Sequence, residues 1–326
     1  MKFHSFSVML QLLFASLVLN LGLPSNALAE LRVVTSFSQD SSIVDAIGGN
    51  RLSVTSLTNG VQDPHAVEPK PALAVLLNQA DLLIVNGQKM EASWLPVAVV
   101  NSGNPRIQKG EEGYLDASAD VELIAYAMHE VEGTPYAHDE HDGHHSGNHH
   151  YWLDPVNGLV IANTIYHKLS QLDPRNAEHY KANYERFTAR LTEKIKDWDS
   201  MMAPFKGAKL VSYHRDWTYL AKRHGLEVAG YIEPRETIPP NAREVSELVK
   251  KIKAERIPVI LIAPWQPQRI SREIGRQAGA NVLSMPSGVD PRLGIRDYFQ
   301  LFDVIYAQLT RRLIRPDEEF GVSQAL

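Results

Sequence analysis

Imidazole is the reactive group this sequence has in excess: it carries 13 histidines and no cysteine. Three of the histidines stand where a fold could present them. His65 lies in Asp63-Pro64-His65-Ala66-Val67-Glu68-Pro69, His150 opens His150-Tyr151-Trp152-Leu153-Asp154-Pro155, and His214 ends Val211-Ser212-Tyr213-His214. Each follows a predicted strand or stands at a loop-to-helix junction, and in open α/β sheets ligands bind beyond the carboxyl ends of strands. Pro64, Pro69 and Pro155 stiffen the backbone beside two of them. Neutral imidazole suits a borderline cation such as zinc, held at about 2.0–2.1 Å and usually by four ligands. Three histidines would leave the fourth position to a carboxylate or a water. The three are far apart in the chain, so spacing is no ligand motif, and each alone reads more readily as a hydrogen-bonded structural histidine. His129, His167, His179 and His224 sit among ordinary helix and loop residues and read as structural.

A second concentration is local. His138, His141, His144, His145 and His149, with Asp139, Glu140 and Asp142, lie in a Gly-rich stretch without apolar period. Residues 130–149 therefore read as a mobile histidine-rich loop. A flexible tract of this kind binds zinc weakly and in several geometries, because ordering it costs conformational entropy. It would raise the local metal concentration or sense excess, or it is a solvated charged loop without a role.

Composition removes other chemistries. Without cysteine there is no disulfide, thiolate metal site, cysteine nucleophile or lipid-bearing N-terminal cysteine. The formal net charge is −5 and no run of Lys/Arg occurs, which argues against nucleic acid. The chain contains neither a G-x-x-x-x-G-K-[ST] phosphate loop nor a His-Glu-x-x-His zinc motif. Residues 1–29 read as a secretory signal: Lys2, an apolar stretch from Val8 to Leu23, and Ala27-Leu28-Ala29 as a small-x-small cleavage pattern. The mature chain is expected to start at Glu30 and to be free in the periplasm of a two-membrane bacterium, not a lipoprotein and without stable membrane insertion.

These candidates need elements to hold them. Strands are expected at Leu31–Phe37, Leu52–Leu57 and Leu82–Val85, with helices at Ser41–Ile47, Pro71–Gln79 and Glu91–Val100. Asp173-Pro174 marks a helix start, and Tyr180, Tyr184, Phe187, Leu191, Ile195, Trp198 and Met202 then form one apolar stripe. From Ala177 to Met202 that helix would run about 39 Å. The alternation restarts with strands at Lys209–Tyr213, Val228–Tyr231, Val259–Ala263 and Asn281–Met285, and helices at Val245–Ala254, Ile270–Gly279 and Asp297–Arg312. The expected fold class is α/β: an N-terminal lobe over 30–172, a long connecting helix over 173–204 and a C-terminal lobe over 205–326, each lobe with a parallel sheet.

Taken in order, the three histidine segments resemble those of the zinc/manganese substrate-binding proteins of ABC transporters: Asp-Pro-His-x-x-Glu-Pro, then His-x-Trp-Leu-Asp-Pro, then His and an aromatic leading to Tyr219-Leu220-Ala221-Lys222-Arg223-His224-Gly225. Gly87-x-x-x-Glu91-x-x-Trp94-Leu95 is similar to the family as well. The resemblance covers nearly the whole mature chain. It implies two lobes joined by a stiff spine helix, a metal site in the cleft between them, and small tilts instead of a wide hinge closure. It implies His65, His150 and His214 as metal ligands. His149 stands where the family usually has proline and is not the ligand by register, although it could compete.

The fourth ligand departs from the family. The aspartate expected after the last core strand falls near Ser287, and Asp290 is the nearest carboxylate. The fourth position is thus Asp290, a water or a loop histidine, with Glu233 a weaker candidate. Glu68 and Asp154 are candidates to brace the ligating rings, Asp154 reading equally as a helix cap before Pro155. Trp94, Trp152 and Trp217 read as core or lobe-interface packing. Manganese prefers oxygen-rich sites, so three nitrogens favour zinc. The expected function is capture of Zn²⁺, as transported ligand, and its delivery to an inner-membrane ABC permease and its ATPase, by a monomer that is not an enzyme. The alternatives are a manganese or iron binder of the same fold, a periplasmic zinc chaperone and, most remotely, a zinc hydrolase.

Overall fold

The computed structural model describes residues 30–125, 147–235 and 238–313. Eight short strands form two four-stranded sheets: β1 (Leu31–Thr35), β2 (Leu52–Ser56), β3 (Leu82–Val85) and β4 (Tyr114–Asp116) in the first, β5 (Lys209–Ser212), β6 (Glu227–Tyr231), β7 (Val259–Ile262) and β8 (Asn281–Ser284) in the second. All pairings are parallel. The strand orders are β2-β1-β3-β4 and β6-β5-β7-β8, so both sheets are wound the same way. In each, the chain reverses its winding between the first strand and the third, which opens a crevice at their carboxyl ends.

Burial follows position in the sheet. β3 (LLIV) and β7 (VILI) are central, covered on both faces, and buried at every residue. β2, at an edge, alternates buried and exposed. The helices are α1 (Ser38–Gly48), α2 (Pro71–Asn78), α3 (Leu95–Ser102), α4 (Pro155–Leu172), α5 (Ala177–Met202), α6 (Thr218–His224), α7 (Ala242–Ala254), α8 (Gln268–Ala278) and α9 (Tyr298–Leu313). None of the described helices is long and apolar enough to cross a membrane.

The long helix α5 buries Tyr180, Phe187, Leu191, Ile195, Trp198 and Met202, against α4, α1 and α9. The main core joins the first sheet, these helices and one face of the second sheet (Leu210, Val259, Leu261). A smaller core under α7 and α8 covers the other face through Val211, Ile260 and Ile262. From Leu31 onward the described residues form one compact unit.

Several expected boundaries move for physical reasons. Pro174–Asn176 is a 3-10 turn and α5 starts at Ala177; Asp173 accepts hydrogen bonds from Asn176 Nδ2 (2.6 Å) and Tyr180 Oη (2.9 Å) where a helix cap was expected. The helix expected from Glu91 begins at Leu95, because Glu91 turns inward. The capping box Asn241/Glu244 starts α7 at Ala242. Helices α4 and α6 and the three-residue edge strand β4 were not among the expected elements. The signal segment 1–29 and residues 130–146 of the histidine-rich loop, with His138, His141, His144 and His145, lie outside the described residues, as does His129. Residues 147–149, expected to be part of that loop, are instead buried.

Candidate metal centre

Four histidines converge at the carboxyl ends of the strands. One ring nitrogen from each of His65, His149, His150 and His214 lies within 4.8 Å of the others. Ring centroids are 4.9 Å apart for His65–His149, 5.3 Å for His65–His150, 5.5 Å for His65–His214 and 5.4 Å for His150–His214. Tetrahedral zinc at about 2.0–2.1 Å requires nitrogens about 3.3 Å apart, so a modest contraction of the rings completes such a shell. His149, set aside by register, stands with the three expected histidines.

Each ring is positioned by its own local device. After β2, Asp63 Oδ1 accepts from His65 N (2.9 Å), and Trp94 Nε1 donates to Pro64 O (3.1 Å); Ser93 Oγ donates to His65 O. The motif around Glu91 sits beneath this loop. Glu91 accepts from Ser36 Oγ (2.6 Å), Asn86 N (2.6 Å) and Gly87 N (3.2 Å), tying the ends of β1 and β3 together. Gly87 has φ of 78°, and a β-carbon there would meet the Asp116 carboxylate; glycine is required.

His149 and His150 precede the 3-10 turn Tyr151–Leu153. Asn86 Nδ2 donates to His149 O (3.0 Å), and Tyr151 Oη donates to Asn86 O (2.7 Å). Asn148, which the sequence gave no reason to select, is the main brace. Its Oδ1 accepts from His150 N (2.8 Å), and its Nδ2 donates to Arg215 O (3.0 Å) and Thr218 Oγ1 (3.2 Å). Tyr219 Oη donates to Asn148 O (2.7 Å). His214 leaves β5, and Ser212 Oγ donates to its carbonyl. Trp152 packs across the interface: its ring stacks on Phe37 (centroids 5.9 Å) and its Nε1 donates to Ser287 O (2.7 Å).

Burial holds His149 and His150 neutral. His150 is driven well below the ordinary histidine value by burial first, then by His149, His65 and His214. His149 is lowered to about 3 by burial and by His65 and His214, against a hydrogen bond with the Gln88 backbone. A neutral imidazole keeps the lone pair that a metal needs. Neither nitrogen of His150 makes a hydrogen bond, although the ring is 1% exposed. A buried polar group without a hydrogen bond is costly, and a cation would relieve that cost. These donors fit a borderline divalent metal.

The carboxylates stand elsewhere than expected. Asp290 is gripped by Arg292, at 2.9 Å to Nε and 2.6 Å to Nη2, and also caps the turn that follows; it is not among the converging groups. Glu68 is 80% exposed beside Lys70. Asp154 caps α4 by accepting from Val156 N (2.9 Å) and meets Arg223. The carboxylates behind the rings are Asp216, 3.7 Å from His150 Nδ1, and Glu233, 3.3 Å from His214 Nδ1. Asp216 lies two residues after a candidate ligand, and that proximity was its only sequence signal. Trp94, Trp152 and Trp217 are buried. His224 bonds Tyr306 Oη (2.9 Å) and His179 contacts Asn183 (3.1 Å), both away from the cluster.

Residues 33–311 match the family described as "ZnuA: Zinc-uptake complex component A periplasmic". The chain is 25% identical over 281 residues to the manganese ABC transporter substrate-binding lipoprotein PsaA of Streptococcus pneumoniae, covering 84% of this chain and 85% of that one. It is 26% identical over 285 residues to the zinc-binding protein AdcA of Streptococcus pyogenes serotype M3, covering 83% of this chain but 53% of AdcA. A crystal structure of ZnuA superposes with a TM-score of 0.73 at 21% identity, over 87% of this chain and 99% of that one. A manganese-bound periplasmic metal-binding protein from Candidatus Liberibacter asiaticus superposes with a TM-score of 0.70 at 18% identity, over 87% of this chain and all (100%) of the other. At these identities the two structures establish the shared α/β two-lobe fold.

Proposed function

The chain belongs to the family of the periplasmic component A of zinc-uptake complexes, and on that premise we propose that it captures Zn²⁺ through His65, His149, His150 and His214 and passes it to an ABC permease energised by an ATPase. The observation that carries this reading is the convergence of four ring nitrogens within 4.8 Å. A four-nitrogen donor set without carboxylate suits zinc better than manganese, which prefers oxygen. His149 takes the fourth position, in place of Asp290 or a water. Four histidines also close the coordination shell, whereas a hydrolytic zinc keeps a position open for water. That fits a family of transporter substrate-binding proteins, which are not enzymes.

The manganese-named relative gives the second reading its footing. A competitive chelator titration of residues 30–326 with Zn²⁺ and with Mn²⁺ decides between them, with His214→Ala and His149→Ala measured alongside. The expected result is one tight zinc site, much weaker manganese, and loss of tight binding in both variants. Manganese bound as tightly as zinc would overturn the zinc reading. Full affinity in His149→Ala would return the fourth position to another group.

A further inference from the structure

A divalent ion held by uncharged ring nitrogens would bring positive charge into a buried site, and burial holds His149 and His150 in that uncharged form. Such a charge is costly unless balanced nearby. Asp216 is 1% exposed, and no lysine or arginine pairs with it among the described residues. One carboxylate oxygen is fixed: Gln266 Nε2 donates to Oδ2 at 2.8 Å. Gln266, itself 6% exposed, is fixed in turn, its Oε1 accepting from Ala263 N at 2.7 Å just beyond β7. The other oxygen, Oδ1, faces His150 Nδ1 at 3.7 Å. Closing that gap by about 0.5–1 Å forms a hydrogen bond and turns the opposite ring nitrogen toward the metal. Glu233 stands in the same relation to His214.

We propose that Asp216, clamped by Gln266, is a positioning and counter-charge residue which, with Glu233, makes the histidine site select divalent over monovalent cations. A carboxylate set behind a ligating ring stabilises a 2+ ion more than a 1+ ion. This rests on the metal-binding reading of the four histidines. Losing a carboxylate behind a ligating ring costs about 10–100-fold in metal affinity. Coulomb energy is linear in the ion's charge, so a 1+ ion loses roughly the square root of that factor, about 3–10-fold.

The test measures Zn²⁺ and Ag⁺ affinities by competition for the wild-type mature chain and for Asp216→Asn, Asp216→Glu and Glu233→Gln, with apo folding checked by circular dichroism. Asp216→Asn is expected to lower the preference for Zn²⁺ over Ag⁺ about 3–10-fold, Glu233→Gln to shift it the same way, and Asp216→Glu to retain it. Equal losses for the two ions, or no loss, in folded variants would overturn the proposal. Should Asp216→Asn fail to fold, Glu233→Gln, on a partly exposed side chain, decides the same question. Absence of tight zinc binding by the wild type would instead overturn the metal-binding reading itself.

Discussion

At the scale of single residues, the environment changes the acid chemistry that the side chains would show alone. An unperturbed histidine titrates near 6.5, so a site of free rings would lose metal progressively below that pH. Here burial lowers His149 to about 3 and drives His150 well below the ordinary value. Protons therefore compete with metal at His149 and His150 only in strong acid. Between pH 7.5 and 5.5 zinc binding is expected to release no proton from His149 or His150; calorimetry in buffers of different ionisation enthalpy counts the protons released, and three or four would contradict the burial argument. The same shift has a sign for folding. Between about 6.5 and about 3 the unfolded chain takes up a proton at His149 that the folded chain refuses, so apo stability falls as pH falls through that window. Melting of apo His149→Ala against pH should show a slope reduced by about one proton relative to wild type. The buried acids run in the opposite sense. Burial raises Glu91 to about 7 and, with Glu91 beside it, Asp40 to about 8, so these groups take up protons on folding and lose stability as pH rises.

At the scale of elements, the strand ends and turns bring the candidate ligands together, and this is where the sequence was partly legible. The periodicity of α5 and the all-apolar β3 could be read directly, since a stripe at three- and four-residue steps and a fully buried strand leave unambiguous patterns. His65, His150 and His214 could be picked out by family resemblance and their places beside strand ends. His149 could not, because register against relatives says nothing about which of two adjacent rings turns inward. Asn148 and Gln266 were illegible for a related reason: an amide acquires its role only when another element arrives opposite it. The bracing by Asn148 gives an expectation at this scale. Asn148→Ala removes hydrogen bonds to His150 N, Arg215 O and Thr218 Oγ1, and leaving buried groups unmet costs about 1–3 kcal/mol. Denaturant unfolding should show that loss, and zinc affinity should fall although no ligand has been altered. Gly87→Ala should destabilise as well, from its positive φ and the Asp116 carboxylate in the way.

At the scale of the whole molecule, two similarly wound sheets share the main core along which α5 packs. Hydrogen bonds already cross between the halves at Trp152–Ser287, Tyr219–Asn148 and Tyr298–Ser42. Loading with zinc is accordingly expected to leave small-angle scattering nearly unchanged, with a shift in radius of gyration below about 1 Å; a large contraction would point to a hinge that these bonds should prevent. The four rings all lie outside residues 130–146, so deleting that segment should leave one tight zinc site intact. A chelator titration checks this, and loss of tight binding would mean that a primary ligand lies in the deleted segment. The position of Asn148 has a mechanical consequence. The side chain that sets the backbone of His150 also grips the turn after His214, so one amide ties together the backbones of two candidate ligands that lie more than sixty residues apart in the chain.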